Sequence, residues 1–485
     1  MKYDRNLEKL KREYGKYYML DIIEAVAKTS YLPFEEPDDV TNSLNYNSVH
    51  LNHILYALRY SRCKSPKTRE LDIYGYSKIS DALDEYMMSN FTHNNNSDIT
   101  ASIELVQTEY FRTLSQEDTL FSILRQLYIV KEVDKDIEDN NKIDFEELIK
   151  NKFGISLDEC LYICFILEYF CFQGIGRNWF SKEDLLANEE FYKYADLIIK
   201  VVDAKSIDIY DVDLIENIDN NLIFDKYPYL KNGDKYHITT ASCVIHMLCG
   251  FIYDTAKQEF NNNLDFTRRY GYYFEQYIYH LLRNYVNKTC IDKLDTHSTL
   301  SRPDFKVILD DYVLFIEVKS SFKTDKAKSI DANNNVDELK KYFNTINKAI
   351  RQLKNEPYTG NLKRINIVIT NQNLHEKSVL RNLDITAKDY TFLMPIDKFE
   401  LFLDTYKSCK ENFNKLITYM KNDYDQLKSD IIVPVNAPDP VSDHSLFLGK
   451  YLKNYVQGII DISRGFNMDD HEGFEKILLS DTKQK

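Results

Sequence analysis

The chain of 485 residues lacks the sequence patterns that mark several common protein classes. Its eight cysteines include no C-x-x-C pair that would hold zinc, and we expect them to be reduced in the cytoplasm. No G-x-x-x-x-G-K-S/T motif is present, so any nucleotide hydrolysis that gates the protein would come from a partner ATPase or sensor subunit. The apolar stretch over 161–172 contains Glu168 and is too short to span a bilayer, and the N-terminus lacks the apolar run of a signal peptide. Neither membrane insertion nor secretion is expected.

The chain also has no excess of positive charge. Acidic residues outnumber basic ones and the formal net charge is −14, which is unexpected for a protein that binds nucleic acid. The deficit is not uniform along the chain. From Val318 to Arg364 there are eleven Lys and Arg residues against five Asp and Glu residues, a local charge of +6. Such a segment can follow a phosphate backbone, or it can be a solvated lysine-rich loop and helix.

The most informative segment is a predicted β-hairpin over 303–319. Two runs rich in Val, Ile and aromatic residues flank Asp310-Asp311. If the turn is centred on this pair, residues whose numbers sum to 621 lie opposite each other on the two strands. The turn has two residues or four, over 309–312, and both forms keep this register. Asp304 then lies opposite Glu317, with Cβ atoms roughly 4.5–5.5 Å apart, where like charges are destabilising. A divalent cation between the two carboxylates would neutralise them.

Side-chain alternation along the hairpin supports this register. Successive residues of a strand point to opposite faces, so one face carries only apolar residues and can be buried. That face consists of Phe305, Val307, Leu309, Leu314, Ile316 and Val318. The opposite face carries both acids, and Lys319 projects on the same side as they do. A slip by one residue would bury the charges and expose the apolar set, which is strongly disfavoured.

These residues resemble the motif of the PD-(D/E)xK phosphodiesterase superfamily. Pro303-Asp304 and Glu317-Val318-Lys319 stand at the matching positions. Upstream, apolar residues at helical spacing predict a helix over 272–286 that carries Glu275 at the margin of its apolar stripe. An acid on the helix that precedes the hairpin is common in this superfamily, so the surroundings strengthen the resemblance.

The pattern after the hairpin predicts a helix over 336–353 and strands over 362–370 and 390–394. The order helix, hairpin, helix, strand, strand resembles the restriction-endonuclease-like α/β core, in which helices flank a mixed sheet. We place this nuclease core at residues 264–406.

The rest of the chain predicts a helical protein around this core. The length favours two or three domains. Helical periodicity recurs through residues 1–263, and we expect a mostly helical sensing or assembly domain there, with a small hairpin around the turn Asn232-Gly233. Residues 407–485 are expected to form a helical C-terminal extension. The fold class is thus an α/β restriction-endonuclease-like core preceded by a largely α-helical N-terminal domain.

The resemblance implies a site for a divalent cation, Mg²⁺ or Mn²⁺. The carboxylates of Asp304 and Glu317 and the carbonyl of Val318 would hold it, since a hard cation prefers oxygen ligands. Lys319 would orient or deprotonate the attacking water and stabilise the developing charge. Glu275 is the candidate for a second metal or water ligand. Asp304, Glu317, Lys319 and Glu275 are therefore the predicted catalytic residues.

The candidate nucleic-acid-binding residues lie on the two helices that flank the hairpin. They are Arg268, Arg269, Lys340, Lys341, Lys348, Arg351 and Gln352. Some members of the superfamily carry a Gln on the second helix, followed four residues later by Tyr. Here Gln352 is followed at that spacing by Glu356, which departs from the pattern.

The resemblance implies a metal-dependent endonuclease that acts on double-stranded DNA in the cytoplasm, as the effector of a bacterial restriction or anti-phage defence system. Two alternatives stay open at this point. The same site could cleave RNA, or the core could be a non-catalytic binding or scaffold subunit with the nuclease fold. A surface hairpin whose charges are only solvated would show the same composition. Both a monomer and a homo-oligomer are compatible with these functions.

Overall fold

The described residues form a mixed α/β protein, as predicted, and contain two sheets, of which the four-stranded one was predicted only as a hairpin. The computed structural model describes residues 2–35, 46–61, 69–91, 116–173, 179–188, 191–211, 223–294, 302–320, 332–371, 391–429 and 445–451. Contacts divide the chain into two compact units that alternate along the sequence. The first consists of Met1–Thr119, Ile163–Phe251 and Lys323–Lys340, and the second of Leu120–Tyr162, Ile252–Phe322 and Lys341–Lys485.

Helices are the commonest elements in the described ranges, where none is long and apolar enough to cross a membrane. In chain order they are α1 (Lys2–Tyr14), α2 (Met19–Glu35), α3 (Tyr46–Tyr60), α4 (Ile73–Phe91), α5 (Gln116–Lys131), α6 (Phe145–Phe153), α7 (Leu157–Gln173), α8 (Lys182–Leu186), α9 (Ala195–Ala204), α10 (Ile223–Lys226), α11 (Ala241–Glu259), α12 (Asn263–Tyr285), α13 (Ala332–Asn355), α14 (Ile396–Ser408) and α15 (Lys410–Ser429).

The first unit contains a sheet of four short strands in the order β1-β4-β3-β2. They are β1 (Trp179–Ser181), β2 (Ser206–Asp208), β3 (Tyr229–Asn232) and β4 (Lys235–Ile238). Strands β3 and β4 form the predicted hairpin. Gly233 in its turn has a φ of 65°, a backbone conformation that would be strained in a residue with a Cβ. Apolar side chains from α1–α4, β2 and β3 share one buried cluster.

The second unit contains a sheet of five strands in the order β5-β6-β7-β8-β9. They are β5 (Ile291–Lys293), β6 (Phe305–Leu309), β7 (Tyr312–Lys319), β8 (Lys363–Thr370) and β9 (Thr391–Pro395). Neighbouring strands are antiparallel from β5 to β7 and parallel from β7 to β9. Helix α13 lies between β7 and β8 in the chain, because parallel strands need a long crossover. The predicted order from α12 to β9 is confirmed, and β5 is an edge strand that the sequence analysis missed.

The central hairpin has the predicted register. Phe305 pairs with Ile316 and Leu309 with Tyr312, so the numbers of paired residues sum to 621. The turn consists of the two residues Asp310-Asp311, and Asp310 has a positive φ of 47°. A positive φ at the first turn residue alone is the φ pattern of a type II′ turn, which matches the twist of the flanking strands.

Replacing Asp310 by Gly is expected to raise the free energy of unfolding by about 1 kcal/mol, because Gly adopts a positive φ without the steric cost of a Cβ. The exposed ion pair between Asp310 and Lys410, at 3.4 Å, contributes little that would be lost. Asp311→Gly is the matched control, since the φ of Asp311 is not positive, and it should destabilise instead. Urea unfolding of both variants measures the difference; equal effects would contradict backbone strain at position 310.

Strand β7 is buried on both faces, whereas the alternation pattern indicated one buried face. Every side chain from Tyr312 to Glu317 is buried. The reason is the position of β7, the third of five strands. On the face that carries the acids, Phe315 contacts the ring of Tyr358 at a centroid distance of 5.8 Å and the guanidinium of Arg364 at 4.4 Å. The carboxylate of Glu317 is therefore buried on this face and not solvated.

Candidate functional site

Helix α12 brings Glu275 to the end of the hairpin. Asn262 caps the helix by accepting hydrogen bonds from two amides of its first turn, and the apolar stripe of the helix is buried as predicted. The helix passes the C-terminal end of β7, since a Cβ placed on Gly271 would lie 3.4 Å from Oγ of Ser320. Glu275 follows one turn later on α12.

The hairpin brings together the three residues of the predicted motif. Asp304 directly precedes β6, and its Oδ2 accepts a hydrogen bond of 2.6 Å from the amide of Val318. At the end of β7, Nζ of Lys319 lies 2.5 Å from Oε1 of Glu317. The predicted convergence of the two acids with the lysine is thus present in the structure. For Val318 the observed contact with the site is its N–H group, while the predicted role concerned its carbonyl.

The electrostatics of the site disfavour ionised carboxylates. The pKa of Asp304 is raised to about 8, first by burial and then by the charges of Glu317 and Glu275, while the Val318 amide and Lys319 act in the opposite direction. Burial also raises the pKa of Glu317, which Lys319 lowers and Glu275 raises. One ammonium group therefore does not compensate the carboxylates that surround it. Glu275 acts on both acids, which places it in the same site.

Two buried oxygen atoms at the site have no hydrogen-bond donor in the part of the chain that the structure describes. Glu317 is 1% exposed, and its Oε2 has no hydrogen-bond partner among the described residues. A side-chain hydrogen bond from Gln352 to the carboxylate lowers the pKa of Glu317, yet Oε1 of Gln352 is also without a partner within those ranges. Buried acceptors without donors are rare in native proteins and need an explanation. A bound cation would supply one.

The donor set fits a hard divalent cation. The described ranges contain no group of three or more His, Cys, Asp or Glu side chains that is placed to hold a metal. Mg²⁺, however, is commonly bound by one or two carboxylates and completes its coordination shell with water and substrate phosphate. Asp304 and Glu317 are such a pair, and the orphaned Oε2 of Glu317 is an available ligand atom.

Arg302 and Glu356 are residues of the site that the sequence analysis did not assign. The guanidinium of Arg302 makes a bidentate ion pair with the buried carboxylate of Glu356, with distances of 3.0 and 2.6 Å. Nε2 of Gln352 donates a hydrogen bond of 3.3 Å to the carbonyl of Arg302. The residue that departs from the superfamily pattern therefore anchors the segment in front of Pro303-Asp304. The available signal was the spacing of four residues from Gln352, in the last turn of α13, to Glu356, directly after the helix, since residues four apart at a helix end lie on the same side.

No family model, curated protein or solved structure matches this chain. The chemistry of the site therefore has to be inferred from its own geometry.

The predicted nucleic-acid-binding residues fall into two groups. On α12, Arg268 and Arg269 both pair with Asp265 at 2.8 Å, so part of their charge is already neutralised. Arg269 also donates to the carbonyl of Lys142. On α13, the side chain of Lys340 lies outside the described residues. Lys341, Lys348 and Arg351 are exposed on the same helix, where a phosphate backbone can reach them, while Gln352 is half-buried beside Glu317.

Proposed function

We propose that the protein is a Mg²⁺-dependent phosphodiesterase, and specifically an endonuclease that cleaves DNA as the effector of a bacterial restriction or anti-phage defence system. The observation that carries the proposal is the convergence of Asp304, Glu317 and Lys319 at one end of the hairpin. One buried carboxylate oxygen there has no donor among the described residues. The element order from α12 to β9 supports a restriction-endonuclease-like core around that hairpin. The defence role rests on the resemblance alone.

Each residue of the motif has a role that follows from its position. Asp304 and Glu317 would hold the cation, which when bound would acidify a water and neutralise charge on the phosphate. The Val318 amide fixes the orientation of the Asp304 carboxylate, so the ligand is in place before substrate arrives. Lys319 keeps an ammonium group within reach of Glu317 and would orient the attacking water and stabilise the developing charge. The exposed α13 cations Lys341, Lys348 and Arg351 would contact the backbone of the nucleic acid.

The proposal is tested by incubating the purified protein with supercoiled plasmid DNA and, separately, with an RNA transcript, each with Mg²⁺ or with EDTA. We expect nicked or linear plasmid with Mg²⁺ and intact plasmid with EDTA. Asp304→Asn, purified in parallel, is the control for contaminating nucleases and should be inactive. Cleavage of RNA alone would move the substrate class to RNA. Calorimetry with Mg²⁺ gives a second readout, because a scaffold protein would neither cleave nor bind the cation.

A further inference from the structure

Lys293 is a charged neighbour of the site that has no place in the superfamily motif. It ends β5, and its Nζ lies 2.7 Å from Oε1 of Glu275. Lys293 pairs with Phe305 across the sheet, and the amide of the following residue, Leu294, donates to the carbonyl of Asp304 at 3.0 Å. The edge strand β5 thus places an ammonium group next to the metal-binding end of the hairpin.

The ion pair with Lys293 gives Glu275 a positively charged partner of its own, which does not pair with Asp304 or Glu317. Lys319 pairs with Glu317 and Lys293 pairs with Glu275, so three carboxylates stand against two ammonium groups in the site. When all are ionised, one negative charge is left over. One divalent cation turns this into a single positive charge, which matches the single negative charge of a phosphodiester. A second divalent cation would bring the sum of these charges to three positive charges.

We propose that the ammonium group of Lys293 takes the place beside Glu275 that a second divalent cation would otherwise occupy, so that the site binds one cation. This inference rests on the proposed function. An ammonium group is a compact point charge with three hydrogen-bond donors. It neutralises a carboxylate with one positive charge, whereas a divalent cation would bring two. Two-metal sites hold their cations roughly 3.5–4 Å apart and need carboxylates that are free to bridge or flank both. Lys293 and Lys319 each hold one oxygen of their acid, but only Glu317 has a second oxygen, Oε2, that is buried without a partner among the described residues, so the unmet demand for a cation lies at Glu317 and not at Glu275.

The experiment counts bound cations in the full-length protein by isothermal titration calorimetry with Mg²⁺. We expect one cation per chain for the wild type and two for Lys293→Met, which frees Glu275. Lys293→Gln removes the same charge, keeps a hydrogen-bond donor and should also bind two. Lys293 is about half exposed, so its replacement should not prevent folding. The double variant Lys293→Met with Glu275→Gln should return to one cation.

Lys306→Met is the matched control. Lys306 lies on β6, makes a similar lysine-acid pair with Asp292 at 3.1 Å and belongs to the same sheet. Its loss should leave the count at one, which separates the position of Lys293 from a general loss of positive charge. Electron paramagnetic resonance with Mn²⁺ gives an independent readout, because two Mn²⁺ ions within about 4 Å of each other are spin-coupled. Of the two single variants Lys293→Met and Lys306→Met, only Lys293→Met should show spin coupling between bound Mn²⁺ ions.

The outcomes separate the inference from the proposed function. A wild type that binds no Mg²⁺ overturns the proposed function and the inference together. A wild type that binds two cations, or a Lys293→Met variant that still binds one and shows no coupling, overturns the inference and leaves the proposed function intact. One cation in the wild type and two in both Lys293 variants support both.

Discussion

Asp304→Asn is expected to abolish cleavage and at the same time to stabilise the metal-free protein, by about 1–3 kcal/mol at pH 8–9. The carboxylate of Asp304 is placed where burial and the charges of Glu317 and Glu275 all oppose its ionisation. Asn is isosteric, and its Oδ1 can still accept the hydrogen bond from Val318. The variant removes the repulsion without opening a cavity, and it also removes a ligand of the cation.

The pH dependence of this effect has a defined sign. The pKa of Asp304 is raised to about 8 in the folded protein, from an ordinary value of 3.8. Between these two values the unfolded chain releases the proton that the folded chain retains, so the wild type loses stability as the pH rises from about 4 to about 8. The Asn variant lacks this proton. Its advantage over the wild type should therefore be small at pH 4–5 and largest above pH 8.

Urea unfolding in EDTA at pH 5 and pH 9 measures this difference. Asp311→Asn, at an exposed acid in the turn, is the control and should shift the free energy of unfolding by less than about 0.5 kcal/mol at both pH values. Saturating Mg²⁺ should stabilise the wild type, by about 2.7 kcal/mol at a hundred times its Kd, and should leave Asp304→Asn unchanged. If the Asn variant is less stable than the wild type at pH 9, the acids do not repel one another and the case for a cation between them fails.

Lys319→Met is expected to lower kcat by about 100- to 10,000-fold while Mg²⁺ binding persists. The ammonium group of Lys319 lies at the end of β7 and pairs with Glu317, one of the two proposed ligands of the cation. In the variant, no ammonium group at position 319 orients the attacking water or stabilises the charge that develops on the phosphate. The affinity for Mg²⁺ should stay the same or increase, because a competing cation has been removed from Glu317.

The split between turnover and cation binding distinguishes a chemical role of Lys319 from a structural one. Mg²⁺ titration by calorimetry and single-turnover cleavage of plasmid DNA measure the two quantities separately. Lys306→Met, on the neighbouring strand and paired with Asp292, should retain wild-type turnover. Loss of both turnover and Mg²⁺ binding in Lys319→Met would assign the residue to folding of the site, and full activity would remove it from the mechanism.

The structure of the hairpin could be predicted from residues that are close together in the sequence. The register of β6 and β7 follows from alternation and from the turn at Asp310-Asp311, and both lie within residues 303–319. The buried stripe of α12 likewise follows from helical spacing. In each case the interacting residues are neighbours on one strand pair or one helix, so the pattern of apolar residues carries the information. The grouping of Asp304, Glu317 and Lys319 is a consequence of that register.

Other features of the site depend on contacts between distant parts of the chain. The pairs Arg302–Glu356 and Lys293–Glu275 join residues that are far apart in the sequence, and β5 is recognisable as a strand only through its pairing with β6. A strand of three residues has too short a pattern to be distinguished from a loop. Charged residues such as these are usually solvated, so composition alone did not mark them.

The amino-acid sequence by itself determined the hairpin, its register and the meeting of two acids with a lysine, since alternating apolar residues allow one pairing that keeps the apolar face buried. Only the tertiary structure decided that β7 lies in the middle of the sheet, with Glu317 buried and with no donor from the described ranges for one of its oxygens. The reason is that burial of a strand's second face depends on elements that arrive from elsewhere in the chain. That burial makes the carboxylates costly without a cation, and it is the physical basis of the proposed function.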